Sequence, residues 1–217
     1  MEYSDVYRVL DAEYGDWQSR EKREPMDELI LTVLSQHTSD INAEKAFLRL
    51  KKIFPTWEIA SKADISDIAE AINGAGLHHI KSARIKAILN RISELIGELD
   101  ISFLRNRSLS EAKQWLMSLP GVGPKTAAVV LCFSLDMPAM PVDTHVYRVS
   151  KRLGLITPET SVDDAHDILE NMARPKDVRS FHLSLIMHGR TICRARNPKC
   201  HECVLGSKCP SCAVLTD

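Results

Sequence analysis

The sequence predicts an all-α protein, and three observations carry that prediction. Apolar residues recur at spacings of three and four along most of the 217 residues, aromatics are only 6% with 9 glycines, and no alternating apolar and polar run is long enough for a strand. Met26 to Ser35 places Leu29, Ile30, Val33 and Leu34 on one stripe, and Ala43 to Leu50 resumes it after a polar break from His37 to Asp40. Ile80 to Ile96 repeats the pattern through Ile85, Ile88, Leu89, Ile92, Leu95 and Ile96. Ser108 followed by Glu111 is a capping box, in which each side chain satisfies a free backbone N–H, so a helix is expected from there to about Ser118. Ser161 with Asp164 is a weaker form of the same signal.

The 44% apolar and 26% charged fractions belong to a globular chain, and the length suits one large or two small domains. Ala127 to Phe133, seven residues, is the longest unbroken apolar run, short of the roughly 18 that a membrane span needs. The N-terminus carries early acids and no basic start before an apolar stretch, so no secretory signal is expected. A reducing, cytoplasmic setting follows (nucleoid-associated if bacterial), with no membrane partner. The six cysteines, five of them between Cys193 and Cys212, then read as metal ligands or buried thiols rather than disulfides.

Net charge is -1, yet charge is segregated. Residues 1 to 29 hold nine acids and four bases, and 157 to 172 hold five acids and no base. Residues 76 to 91 hold Lys81, Arg84, Lys86 and Arg91 with no acid, and 186 to 212 hold five bases against Glu202. Such asymmetry permits a basic face for a polyanion on a neutral molecule, although either stretch also reads as a solvated helix face.

The capped helix ends in Leu119-Pro120-Gly121-Val122-Gly123, after which Pro124 fits the first position of a new helix. Glycines let backbone approach a ligand closely, and the N–H groups of a helix start point at an anion. Gly121, Val122 and Gly123 are therefore candidate contacts to a DNA phosphate, a grip independent of sequence. Gly74-Ala75-Gly76 is a fainter echo before a basic helix.

Lys125 sits just inside the new helix, and eighteen residues later Val142-Asp143-Thr144-His145 opens another. The run 119–127 together with 141–149 resembles the endonuclease III family of helix-hairpin-helix DNA glycosylases, and the resemblance extends from about Asp27 to Cys209. It implies base excision repair: removal of a damaged base, an oxidised pyrimidine, from duplex DNA, and cleavage at the abasic site by β-elimination. It also implies two helical domains with the active cleft between them, residues 19–136 containing the hairpin and residues 1–18 with 137–217 holding a cluster. A monomer acting on double-stranded DNA is expected.

A lysine amine attacking C1′ displaces the base and leaves a Schiff base, which permits elimination of the 3′ phosphate. Lys125 is the candidate nucleophile. Base departure builds positive charge on the sugar, and a fixed carboxylate stabilises it; Asp143 matches the family's catalytic aspartate. The damaged base must first leave the stack and a side chain must fill the gap. Leu77 matches the family's leucine wedge and His145 its active-site histidine. The loop Leu34-Ser35-Gln36-His37 departs from the common form, which has Gln where His37 stands, so either Gln36 or His37 faces the orphan base.

Cys193-x6-Cys200-x2-Cys203-x5-Cys209 is the spacing that holds a 4Fe–4S cluster in this family, and four thiolates suit such a cluster. A competing register, Cys200, Cys203, Cys209 and Cys212, would hold a structural zinc. In the first register Cys212 is a spare thiol, Cys132 is a buried one, and the cluster steadies a basic loop, Arg194, Arg196 and Lys199, that meets phosphate. Two rivals remain: a glycosylase of the same superfamily for mismatched T or U, adenine or 8-oxoguanine, and a non-enzymatic iron–sulfur DNA-binding protein. Lys125 speaks against the monofunctional enzymes, and Lys125 with Asp143 speaks against the non-enzyme.

Overall fold

A computed structural model describes residues 1–15, 17 and 22–212. All regular structure among them is helical: eleven α-helices joined by turns, four of which are short 3₁₀ segments. The chain separates into two compact units, Lys22–Asp136 and Met1–Glu21 with Met137–Asp217. None of the described helices is long and apolar enough to cross a membrane.

The first helix, α1 (Tyr3–Tyr14), belongs to the second unit, and the first unit runs from α2 (Pro25–Ser35) to α8. Nearly every residue of α2 is buried, with Leu29, Ile30, Val33 and Leu34 fully so. It packs on α8 (Pro124–Ser134), whose Ala127, Ala128, Val130 and Leu131 are equally inaccessible. Each buried aliphatic side chain of Val or Leu size contributes roughly 1.5–3 kcal/mol, which makes α2 and α8 the rigid centre of this unit. Cys132 is buried there, as the sequence suggests. Around them stand α3 (Asp40–Ile53), α4 (Trp57–Lys62), α5 (Ile65–Ala71), α6 (His78–Ile96) and α7 (Leu109–Met117). Ser108 and Glu111 form the expected reciprocal cap of α7.

Two expectations for α6 change. Its core stripe is Ile85, Ile88, Leu89 and Ile92, whereas Ile80 and Leu95 are exposed, because they fall outside the arc that faces the core. The basic run 76–91 is also not a uniformly solvated face. Lys81 is only 2% exposed, and its ammonium donates to two backbone carbonyls. Lys86 donates to Ser61 O and Ala63 O, closing the end of α4.

In the second unit, α9 (Thr144–Arg152) and α11 (Val178–Thr191) pack together, with α10 (Val162–Met172) capped by Ser161 as expected. The helix α1 lies on α11, where Tyr3 and Tyr7 meet Phe181 edge-on at 5.1 and 5.9 Å between ring centroids.

Candidate functional site

The hairpin between α7 and α8 is built by its two apolar residues. Leu119 and Val122 are buried and Val122 N–H donates to Leu119 O, so the turn is closed and anchored from inside. Val122, expected among the DNA contacts, thus has its side chain turned into the unit and its N–H engaged within the turn. Outside lie Gly121, at φ +72°, and Gly123, the N-cap of α8. Among the described residues the N–H groups of Gly123, Lys125 and Thr126 find no acceptor, and they converge at the positive end of the α8 dipole. A phosphate fits that arrangement.

The two glycines differ as probes. A Cβ on Gly121 would run into the Arg84 guanidinium and hold a left-handed backbone, whereas one on Gly123 meets nothing within 4 Å. Gly123→Asp therefore places a carboxylate at the phosphate position without steric cost. As a favoured N-cap it should leave stability unchanged or raise it by a few tenths of a kcal/mol. Affinity for undamaged and lesion duplexes alike should fall, on the order of tenfold at moderate salt. Melting curves and titrations over a range of salt check this; a loss confined to lesion DNA would assign the hairpin to the base pocket instead.

Lys125 is exposed at the second position of α8 and makes no hydrogen bond or ion pair with the described residues. Its amine stands clear beside the hairpin.

Two loops of the same unit carry Gln36, His37 and Leu77, the residues expected at the base stack. Arg84 donates to Gln36 Oε1, and Gln36 Nε2 reaches Thr126 Oγ1 at 3.4 Å and Gly121 O at 3.5 Å. Gln36 is therefore committed to bracing the hairpin. His37 follows in a left-handed conformation, φ +53°, with its side chain exposed. Leu77, N-cap of α6, is also left-handed at φ +50° and 53% exposed. Such a conformation costs a non-glycine residue roughly 1–2 kcal/mol and persists only where surrounding contacts impose it.

Asp143 belongs to the second unit. Its Oδ1 accepts from His145 N–H at 2.8 Å and Val146 N–H at 2.7 Å, which caps α9. Among the described residues Oδ2 has no hydrogen-bond partner, so one carboxylate oxygen fixes the group while the other stays available. His145 is half-buried, its Nδ1 3.2 Å from Arg148 Nη2, and its ring lies against Gly189 of α11. Arg148 donates further to Gly189 O and Cys193 O, joining the helix that Asp143 opens to the start of the cysteine loop. Burial pulls its pKa below the usual arginine value.

Cys193, Cys200, Cys203, Cys209 and Cys212 line one shared cavity. Among the described residues no three His, Cys, Asp or Glu side chains converge as a single metal ion requires. Thiols spread around a cavity suit a larger inorganic core. Burial and mutual repulsion hold the thiols of Cys200, Cys203 and Cys209 up, so their thiolates need a positive partner. Arg152 lies at the edge of the same cavity, donating to Cys193 Sγ at 3.5 Å and to Arg194 O at 2.6 Å. His188 lies 3.7 Å from Cys203 Sγ through Nε2 and 3.1 Å from Tyr14 Oη through Nδ1. Burial pushes its pKa down to about 4, so the ring is neutral at neutral pH. Arg194 and Arg196 are exposed, while Lys199 is paired with Glu202 at 2.8 Å. Sequence reasoning missed Arg84, Arg148, Arg152 and His188, whose partners are distant in the chain.

Residues 30–175 match the HhH-GPD superfamily of base excision DNA repair proteins, and residues 193–209 match the iron–sulfur binding domain of endonuclease III. The chain is similar to endonuclease III of Thermotoga maritima, with 34% identity over 192 residues covering 88% of this chain and 85% of that one. It is similar to endonuclease III of Sulfolobus acidocaldarius at 30% identity over 212 residues, 96% of this chain and 92% of that. Among solved structures, a trapped endonuclease III–DNA covalent intermediate matches with a TM-score of 0.84 at 27% identity, covering 99% of this chain and 97% of the other. A thermostable thymine-DNA glycosylase shares the fold, with a TM-score of 0.80 at 21% identity over 97% of this chain and 96% of that one.

Proposed function

The chain belongs to the endonuclease III family within the HhH-GPD superfamily, and from that premise we propose that it removes oxidised pyrimidines from duplex DNA with Lys125 as nucleophile and Asp143 as the carboxylate that assists base departure. It is a base excision repair glycosylase and AP lyase with a 4Fe–4S cluster, and it binds DNA. The observation that carries the residue assignment is the exposed, unpaired Lys125 amine beside a hairpin with open N–H groups.

In this reading the hairpin holds a phosphate and sets the strand against the helix start. His37 rather than Gln36 faces the orphan base, because Gln36 is spent on Arg84 and the hairpin. Leu77 fills the gap left by the extruded base. The Lys125 nitrogen then forms a bond to C1′ as the glycosidic bond breaks, the bonding pair leaving with the base, which takes up a proton. Asp143 Oδ2 stabilises the positive charge that builds on the sugar. Ring opening gives the Schiff base; loss of a 2′ proton expels the 3′ phosphate, and hydrolysis returns the lysine. Cys193, Cys200, Cys203 and Cys209 hold the cluster, which when bound cross-links their loop and takes no part in bond making. Arg194 and Arg196 on that loop meet phosphate.

The test is a comparison of base release and strand cleavage. Wild-type protein should release an oxidised pyrimidine from duplex DNA and nick the product. Asp143→Asn, which preserves the cap because Asn is an equally good N-cap, should lose base release by about 10²–10³-fold. Cleavage at a preformed abasic site should fall much less, since the base has already gone. Equal loss of both steps would give Asp143 a role in the lyase protons. Activity confined to mismatched thymine or uracil would replace the substrate class.

A further inference from the structure

The loops that carry His37 and Leu77 come from distant parts of the chain, and both hold a non-glycine residue in left-handed backbone. One side chain joins them. Lys81, in the first turns of α6, lies on the core stripe four residues before Ile85 and is 2% exposed. Its ammonium donates to Leu34 O at 2.7 Å, at the end of α2 just before Gln36 and His37, and to Ala75 O at 2.6 Å, in the turn just before Leu77. Its own N–H donates to Leu77 O at 3.0 Å. A second link runs parallel: Thr38 Oγ1 donates to the same Ala75 O. No apolar packing could impose this register, because the groups being held are backbone carbonyls that a buried site must pair.

We propose that Lys81 is a positioning residue that locks the two loops into one rigid head, so that His37 and Leu77 enter the base stack together. The proposal rests on the glycosylase reading of those two residues. A buried ammonium shared by two carbonyls fixes both ends of the head before DNA arrives, so insertion does not have to order two separate loops. The charge is desolvated and Arg84 is near; both push the lysine pKa below its usual value. The two short carbonyl contacts offset that cost.

The same helix supplies the control. Lys86 also donates to two carbonyls, Ser61 O and Ala63 O, but it ties the end of α4, away from both loops in sequence. Lys86→Met therefore removes a comparable clamp without touching the head. The readout is a fluorescent 2-aminopurine placed opposite an oxidised pyrimidine, whose emission rises when the orphan base loses its stacking, together with single-turnover base release. Lys81→Met at saturating protein should give less than a third of the wild-type fluorescence rise and at least a tenfold slower release. Lys86→Met should stay within twofold on both, although each variant melts earlier than wild type. Thr38→Val, which removes only the parallel link, should move both readouts in the direction of Lys81→Met by a smaller factor, and it decides the matter if Lys81→Met does not fold. A full rise in both Lys81→Met and Thr38→Val, or an equal loss in Lys86→Met, would overturn the proposal. A wild-type protein that neither unstacks the base nor cleaves an abasic site would instead overturn the functional reading beneath it.

Discussion

Lys125→Gln should form no covalent adduct when borohydride is added during reaction with abasic-site DNA, while the wild-type protein leaves a stable protein–DNA band. Reduction converts the Schiff base to an amine that hydrolysis cannot undo, so the band reports the covalent nitrogen itself. Strand cleavage should drop by roughly 10³-fold or more, because removing a nucleophile removes the covalent route outright. Folding should not confuse the result. Lys125 is exposed and makes no hydrogen bond or ion pair with the described residues, so its replacement should change stability by no more than about 0.5 kcal/mol. Binding should persist as well, since the hairpin N–H groups proposed to hold phosphate are backbone atoms. Undiminished trapping by Lys125→Gln would move the nucleophile elsewhere.

Cys193→Ser should purify without its cluster, whereas Cys212→Ser should stay yellow-brown with about four iron atoms per chain. Both thiols line the same cavity, but the iron–sulfur domain match ends at residue 209 and Cys212 lies beyond it. Loss of the cluster should do more than bleach the protein. Between Cys193 and Cys209 only Leu205 is buried, so the loop has almost no apolar core of its own and depends on the cross-link for its shape. Arg194 and Arg196 should then contribute less to DNA affinity, and the salt dependence of binding should flatten. Iron analysis, the visible spectrum and a salt titration read these effects. A colourless protein with one zinc ion, indifferent to Cys193→Ser, would restore the shorter cysteine register.

The helices and the hairpin were legible in the sequence because each is written in local spacing, whereas Lys125, Asp143 and the cluster cysteines were singled out by the resemblance to a family. A cap spans three residues, as Ser108 with Glu111 does, and a hairpin with proline after it spans five or six. Side-chain direction is not local. Lys81 reads as one more base in a solvated run until Leu34 O, 47 positions away, is seen to accept from it. A lysine at a core position of the Ile85, Ile88, Ile92 stripe was the available hint. Gln36 and His37 are adjacent and equally polar, and only Arg84 and the hairpin, brought up by tertiary packing, separate the one that braces from the one left exposed. Val122 turned inward and Gly121 closed by Arg84 are decisions of the same kind. The sequence by itself determined which chemistry the chain carries; the tertiary structure decided which side chains are buried and paired and which stay open, because burial and carbonyl pairing depend on residues that meet only once the helices have packed.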